Sequence, residues 1–164
     1  MEQERPYQIV TFLGDEPTVN EAVYYGENGW YPQLAIKRRF SFNTNDEDVL
    51  VRTLRIFFAN TSSIHFETGE LLKPERMPVR VIDIPSQDAL KLLHLDLIKH
   101  LGDSIVSRYP DREGENYYAH ITAEYNDEFV IPVEEYTDRV FSLTNVWLLK
   151  DVGDENSLAY VKIR

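Results

Sequence analysis

The sequence predicts an α+β domain. Two segments place leucine and phenylalanine at helical spacing, and several shorter runs are rich in β-branched and aromatic residues. The two kinds of segment follow one another without the strict alternation that builds a doubly wound parallel sheet. At 164 residues the chain has the size of one domain with a sizeable core, and no repeat or low-complexity linker divides it. Residues 1–164 are therefore read as a single domain.

Each element has its own local signal. Residues 7–13, rich in β-formers, read as the first strand. Residues 17–25 read as a short helix ended by the Gly26-Glu27-Asn28-Gly29 turn. Residues 31–40 read as a strand, with Pro32 tolerated at its start. Thr44 and Glu47 fit a capping box, in which each side chain satisfies the other's free backbone N–H. Leu50, Leu54, Phe57 and Phe58 then mark a helix over 46–59. Strands are expected at 64–72 and 79–84, separated by a connection with Pro74 and Pro78. Ser86 can cap the next helix, where Leu90, Leu93, Leu97 and Leu101 share one face and Gly102 supplies the stop. A charged loop over 103–116 leads to a strand at 117–125. A short helix near 134–140 and strands around 143–150 and 158–164 complete the order.

Charge and composition narrow the function classes. Seventeen Lys and Arg against 28 Asp and Glu give a net charge of −11, which repels a nucleic-acid backbone at long range. Duplex binding depends on neutralising phosphates with Lys and Arg and is not expected. A small phosphate-bearing ligand in a locally basic pocket is compatible with this balance. The absence of cysteine removes disulfides, thiolate nucleophiles and Cys-zinc sites together. No His/Asp/Glu cluster has metal spacing and no glycine-rich phosphate loop occurs, so no cofactor is predicted. No apolar run approaches the ~20 residues needed to cross a bilayer, and residues 1–6 lack a signal-peptide pattern. The expectation is a cytoplasmic protein with no membrane partner.

The chemistry concentrates on residues 117–125, Tyr-Tyr-Ala-His-Ile-Thr-Ala-Glu-Tyr. Strand alternation sends Tyr118, His120, Thr122 and Glu124 to one face and Ala119, Ile121 and Ala123 to the core. A histidine and a threonine two apart can both reach one phosphate: the imidazole transfers a proton near neutral pH and the hydroxyl donates to a non-bridging oxygen. On the earlier strand, the same alternation places Gln33, Ala35, Lys37 and Arg39 together and sends Arg38 to the other face with Ile36 and Phe40. Lys37 and Arg39 either attract phosphate or form ordinary salt bridges.

His120-Ile121-Thr122 resembles the second signature of the 2H phosphoesterase superfamily, the 2′-5′ RNA ligase-like and cyclic phosphodiesterase proteins. The resemblance extends over most of the chain. Residues 79–84 and 88–101 look like that family's strand and leucine-rich helix between the motifs, and Val146-Trp147-Leu148-Leu149 with Tyr160-Val161-Lys162-Ile163 look like its closing strand pair. Tyr31-Pro32-Gln33-Leu34-Ala35-Ile36-Lys37 resembles the family's Pro-His-x-Thr-x-Lys segment, with Gln33 for His and Ala35 for Thr. The resemblance implies two pseudo-symmetric lobes of antiparallel sheet, with helices outside, around a central groove. It implies His120 and Thr122 as catalytic residues and Gln33, Lys37, Arg39 and Tyr118 as ligand-contacting ones. The implied ligand is a small nucleotide or RNA-end phosphodiester.

In that family one histidine deprotonates the attacking oxygen and the other protonates the leaving one. An amide at position 33 does neither, and losing one general acid or base costs about 10²–10⁴ in rate. Full two-histidine activity is not expected, although one-histidine hydrolysis assisted by water or Lys37 stays open. Three functions follow as alternatives: an impaired phosphoesterase, a non-catalytic module for a nucleotide or phosphorylated ligand, and a protein-interaction domain. Elsewhere, His65 is expected on an edge strand, His94 packed on its helix, and His100 in favourable contact with the helix dipole. Tyr117, Tyr118 and Trp30 are expected either to stack on a base or to pack in the core and rim.

Overall fold

The computed structural model describes residues 6–17, 22–24, 31–44, 46–125, 127–151 and 157–164. In chain order the elements are β1 (Tyr7–Phe12), β2 (Ala22–Tyr24), β3 (Gln33–Phe42), α1 (Glu47–Ala59), β4 (His65–Glu67), β5 (Leu71–Leu72), β6 (Val81–Ile82) and α2 (Asp88–Leu101). There follow β7 (Ile105–Ser107), β8 (Ile121–Thr122), β9 (Glu124–Tyr125), β10 (Glu128–Phe129), β11 (Val140–Ser142), β12 (Trp147–Asp151) and β13 (Ser157–Lys162). Among the described residues the main sheet has nine strands in the order β2-β13-β12-β1-β3-β8-β6-β5, with β7 also pairing β3. All its pairings are antiparallel. With two α-helices among the described residues beside it, the expected α+β architecture is present.

Both helices lie on one face of this sheet. Leu50, Leu54 and Phe58 of α1 and Leu90, Leu93, Leu97 and Leu101 of α2 join Ile9, Leu34, Ile36, Ile82, Ile121 and Leu148 in one buried cluster. Burying a leucine or phenylalanine side chain contributes roughly 1.5–3 kcal/mol, so this layer supplies most of the driving force for folding. The opposite face carries a smaller cluster of Val10, Phe12, Trp147 and Leu149, bordered by Tyr31 and Ala35. The sheet thus has a helix-covered side and a second side that includes the outward residues of β3 and β8.

The predicted elements shift where tertiary contacts outweigh local signals. The cap of α1 is Asp46, whose carboxylate accepts from the Asp48 and Val49 N–H groups, so the Thr44–Glu47 box is not the one used. Gln87, with no side-chain cap bond, precedes α2 in place of Ser86, and Gly102 ends it at φ 51°. The run 64–72 breaks into β4 and β5 at Gly69, whose N–H donates to the Asp83 carbonyl at 2.7 Å. A Cβ there would meet the Pro85 ring at 3.0 Å, a reason for glycine at this close approach. The loop 103–116 contains β7, which extends the edge of β3. The expected helix at 134–140 is a 3₁₀ turn, Val133–Glu135, followed by β11. Of the helix expected at 17–25, the described end is the strand β2; the Gly26–Gly29 turn and Trp30 lie outside the described residues.

Candidate functional site

Two bulges in β3 decide which side chains reach the site. Phe12, Thr11 and Val10 of β1 oppose Gln33, Leu34 and Ala35, but Ile9 opposes Lys37 and Tyr7 opposes Phe40. One extra β3 residue therefore lies between the pairs of Val10 and Ile9, and a second between those of Ile9 and Tyr7. Each bulge sends two consecutive residues to the same side. Ile36 and Lys37 both turn under the helices and are fully buried, whereas Arg38 and Arg39 are both half-buried.

The expected Gln33, Ala35, Lys37, Arg39 face is therefore corrected. Lys37 leaves it: its Nζ donates to Glu113 Oε1 at 2.5 Å, to Ser107 Oγ at 2.9 Å and to the Arg38 carbonyl at 3.2 Å. Ser107 Oγ in turn donates to the other Glu113 oxygen at 2.6 Å. Burial pulls the Lys37 pKa down, and the Glu113 carboxylate works against that. This ammonium is a structural ion-pair member with no reach toward a ligand. Arg39 is held by Asp151 at 3.0 Å, so it is an ordinary salt bridge. Arg38, expected on the far face, is half-buried, within electrostatic reach of Tyr117, Glu113 and His94 as well as of His120. Its guanidinium lies close enough to His120 to disfavour a second positive charge there.

The pairing of β3 with β8 brings the two tripeptides together. Leu34 is the partner of Ile121, and both are fully buried under the helices. The antiparallel register then sets Gln33 alongside Thr122 and Ala35 alongside His120, all four half-buried and pointing away from that core. Centre meets centre, so the two tripeptides are related by a local two-fold through the Leu34–Ile121 pair.

His120 is fixed by its neighbours. Its Nδ1–H donates to the Tyr118 carbonyl at 2.9 Å, leaving the Nε2 lone pair as the reactive position of the neutral ring. Its ring stacks on Tyr118 with centroids 5.4 Å apart and 16° between planes. Burial first, and Arg38 second, push its pKa down to about 4, against the Tyr118 carbonyl. Tyr118 does not offer its hydroxyl to a ligand, because that group donates to Asp83 Oδ1 at 2.5 Å. Gln87 supplies a support that sequence reasoning missed. Its amide accepts from Ala119 N–H at 2.7 Å and donates to the Ala119 carbonyl at 2.8 Å. It thereby replaces a neighbouring strand where regular pairing has not yet begun, one residue before His120. Glu124, the fourth residue of the expected polar face, is buried and paired with Arg80 at 3.1 Å.

The remaining histidines are structural. His94 is fully buried, donates from Nδ1 to the Ile36 carbonyl at 2.8 Å and accepts from Gly114 N–H at Nε2, 3.0 Å. Both ring nitrogens are used, and burial lowers its pKa. It stacks on Tyr117 at 4.1 Å, and Tyr117 donates to the Ala35 carbonyl at 2.7 Å, so that tyrosine is a core residue. His65 sits on β4, which pairs β11 in a two-stranded sheet, with Nδ1 2.6 Å from Ser142 Oγ. His100 packs against Phe57 at 5.2 Å. Among the described residues no group of three His, Asp or Glu side chains could hold a metal ion, and no helix is long and apolar enough to cross a membrane.

No family model and no curated protein matches the chain. The chemistry therefore rests on the residues themselves. A neutral imidazole with an available Nε2, a hydroxyl two residues on, and a guanidinium within electrostatic reach of the imidazole can accept a proton beside an anion and stabilise its charge. Gln33 adds an amide that donates and accepts hydrogen bonds but moves no proton.

Proposed function

We propose that the chain is a divergent 2H-type phosphoesterase domain, related in design to 2′-5′ RNA ligase-like proteins, that binds and slowly hydrolyses a small nucleotide or RNA-end phosphodiester. The supporting observation is the Leu34–Ile121 pairing, which aligns Gln33-Leu34-Ala35 with His120-Ile121-Thr122 about a local two-fold. A pair of lobes related by that axis would form a groove over the outward residues of the two strands. In this reading His120 Nε2 takes the proton of the attacking water or hydroxyl. Thr122 donates to a non-bridging oxygen, and Arg38 neutralises negative charge on the phosphoryl oxygens. The leaving oxygen is protonated by water, since Gln33 cannot serve. A non-catalytic binding module is the second reading, favoured specifically by the amide and methyl that Gln33 and Ala35 present where the family has its other proton shuttle and hydroxyl.

The test incubates the wild-type chain, His120→Ala and Arg38→Ala with 2′,3′-cyclic nucleotides and short RNA ends, following both turnover and binding. Turnover abolished by His120→Ala supports the enzyme. Binding without turnover, weakened by Arg38→Ala, supports the module. If no phosphate ligand binds the wild-type chain, both readings fail and the interaction-domain alternative gains.

A further inference from the structure

The segment after β7 brings two more arginines to the bulged edge of β3. Arg108 N–H donates to the Arg39 carbonyl at 2.9 Å, which ties this segment to the second bulge. The Arg108 and Arg112 guanidinium carbons then lie 5.6 and 5.7 Å from the centre of the same Tyr109 ring. Arg38 interacts electrostatically with Tyr109 and Arg112 and with His120. Arg112 thus shares the Tyr109 ring with Arg108 and lies within electrostatic reach of Arg38, the guanidinium that acts on His120.

Two of the carboxylates nearby are already committed. Glu113 is held by Lys37 and Ser107, and Glu115 pairs with Lys91 at 3.3 Å. Asp111 is exposed, its backbone carbonyl accepts from Asn116, and its carboxylate makes no salt bridge among the described residues. Among the described residues neither Arg38, Arg108 nor Arg112 has a carboxylate within salt-bridge distance, whereas Arg39 and Arg80 each do. In a chain of net charge −11 this local surplus of cations is unusual. Arg38 is half-buried with Arg112 beside it, and the Glu113 carboxylate that offsets this is shared with Lys37, so a further anion would be favourable there. Arginine's planar fork suits a phosphate in particular.

We propose that Arg38, Arg108 and Arg112 form a second anion site, on the β7 side of His120, that holds a phosphate other than the reacting one. The ligand is then an extended one with at least two phosphates, such as an RNA end with its next phosphodiester, in preference to a cyclic mononucleotide. This rests on the reading of His120 and Thr122 as the site of the reacting phosphate.

Three probes separate the possibilities: a 5′-phosphorylated tetraribonucleotide, uridine triphosphate and 2′,3′-cyclic UMP, each titrated into the full chain. The double variant Arg108→Ala/Arg112→Ala removes exposed side chains only, so it keeps the fold. It should weaken the tetranucleotide by roughly tenfold or more, because charge-assisted bonds to phosphate are lost. Its log–log salt slope should fall by about one, while cyclic UMP changes by less than about twofold. Weakening of the triphosphate alone would also support a second phosphate site and assign it to nucleotide polyphosphates. Equal loss for all three probes, or no loss for any, would overturn it. His120→Ala distinguishes the two layers of the reading. If that variant binds and turns over every probe like the wild type while the arginine variant still weakens the tetranucleotide, the anion site stands and the reacting-phosphate assignment falls.

Discussion

The tripeptides Gln33-Leu34-Ala35 and His120-Ile121-Thr122 occupy equivalent places on neighbouring antiparallel strands, yet only one carries acid–base chemistry. Their central residues match: Leu34 and Ile121 are opposed and fully buried beneath the helices. Their outer residues do not, with an amide and a methyl on one strand against an imidazole and a hydroxyl on the other. Packing constrains the inward side chain on each strand and leaves the outward pair free to differ. On the proposed reading Gln33 and Ala35 stand where a second proton shuttle and hydroxyl would be, and that asymmetry can be tested by supplying them.

The largest expected effect comes from Gln33→His with Ala35→Thr. Both positions are half-buried and face away from the helix-side core, so the substitutions need little repacking. A second general acid or base should raise turnover of a 2′,3′-cyclic nucleotide by about 10²–10⁴, measured as initial rates. Adding His120→Ala should abolish the gain. A folded double variant with no gain on any cyclic or linear phosphodiester would mean the two strands do not frame one reaction centre.

How far the site could be read in advance turns on the strand phase. Residues 118–122 alternate as their sequence suggests, because small Ala119 and apolar Ile121 mark the inward side unambiguously. Residues 33–42 do not, because the bulges fall within Ile-Lys-Arg-Arg, where no glycine or proline announces them. A bulge set by pairing with β1 and by the gap between β7 and β8 is a property of the assembled sheet. For that reason Lys37 is the buried residue of the pair and Arg38 the half-buried one. Gln87 was equally hidden, since its bonds to Ala119 exist only once α2 is docked. The helices were legible because their leucine and phenylalanine spacing depends on no partner.

The Lys37–Arg38 contrast gives a second break point. Glu113→Ala would leave the Lys37 ammonium fully buried without its carboxylate. Breaking such a pair destabilises by about 3–5 kcal/mol, which urea unfolding would register. Arg38→Ala, which severs no ion pair, should cost less than about 1 kcal/mol while weakening a phosphate ligand severalfold. Were Arg38→Ala as destabilising as Glu113→Ala, Arg38 would be a core residue and not a ligand-facing one.

The smallest expected effect sharpens the picture of His120 itself. Its folded pKa is pushed down to about 4, so between that value and the ordinary 6.5 the unfolded chain binds a proton that the folded chain refuses. Stability contributed by this group is present above pH 6.5 and declines as pH falls toward 4. Above that range the ring is neutral with Nε2 able to accept, so any hydrolysis dependent on it should be flat from weakly acidic to neutral pH, with no loss near 6.5. An NMR titration of the His120 ring would read the midpoint directly, and His120→Gln should remove its share of the acid sensitivity. Arg38→Ala should move that midpoint upward, because a neighbouring positive charge is one cause of the depression. A midpoint that stays in place would separate Arg38 from His120, whereas an upward shift places the guanidinium within electrostatic reach of the imidazole in solution.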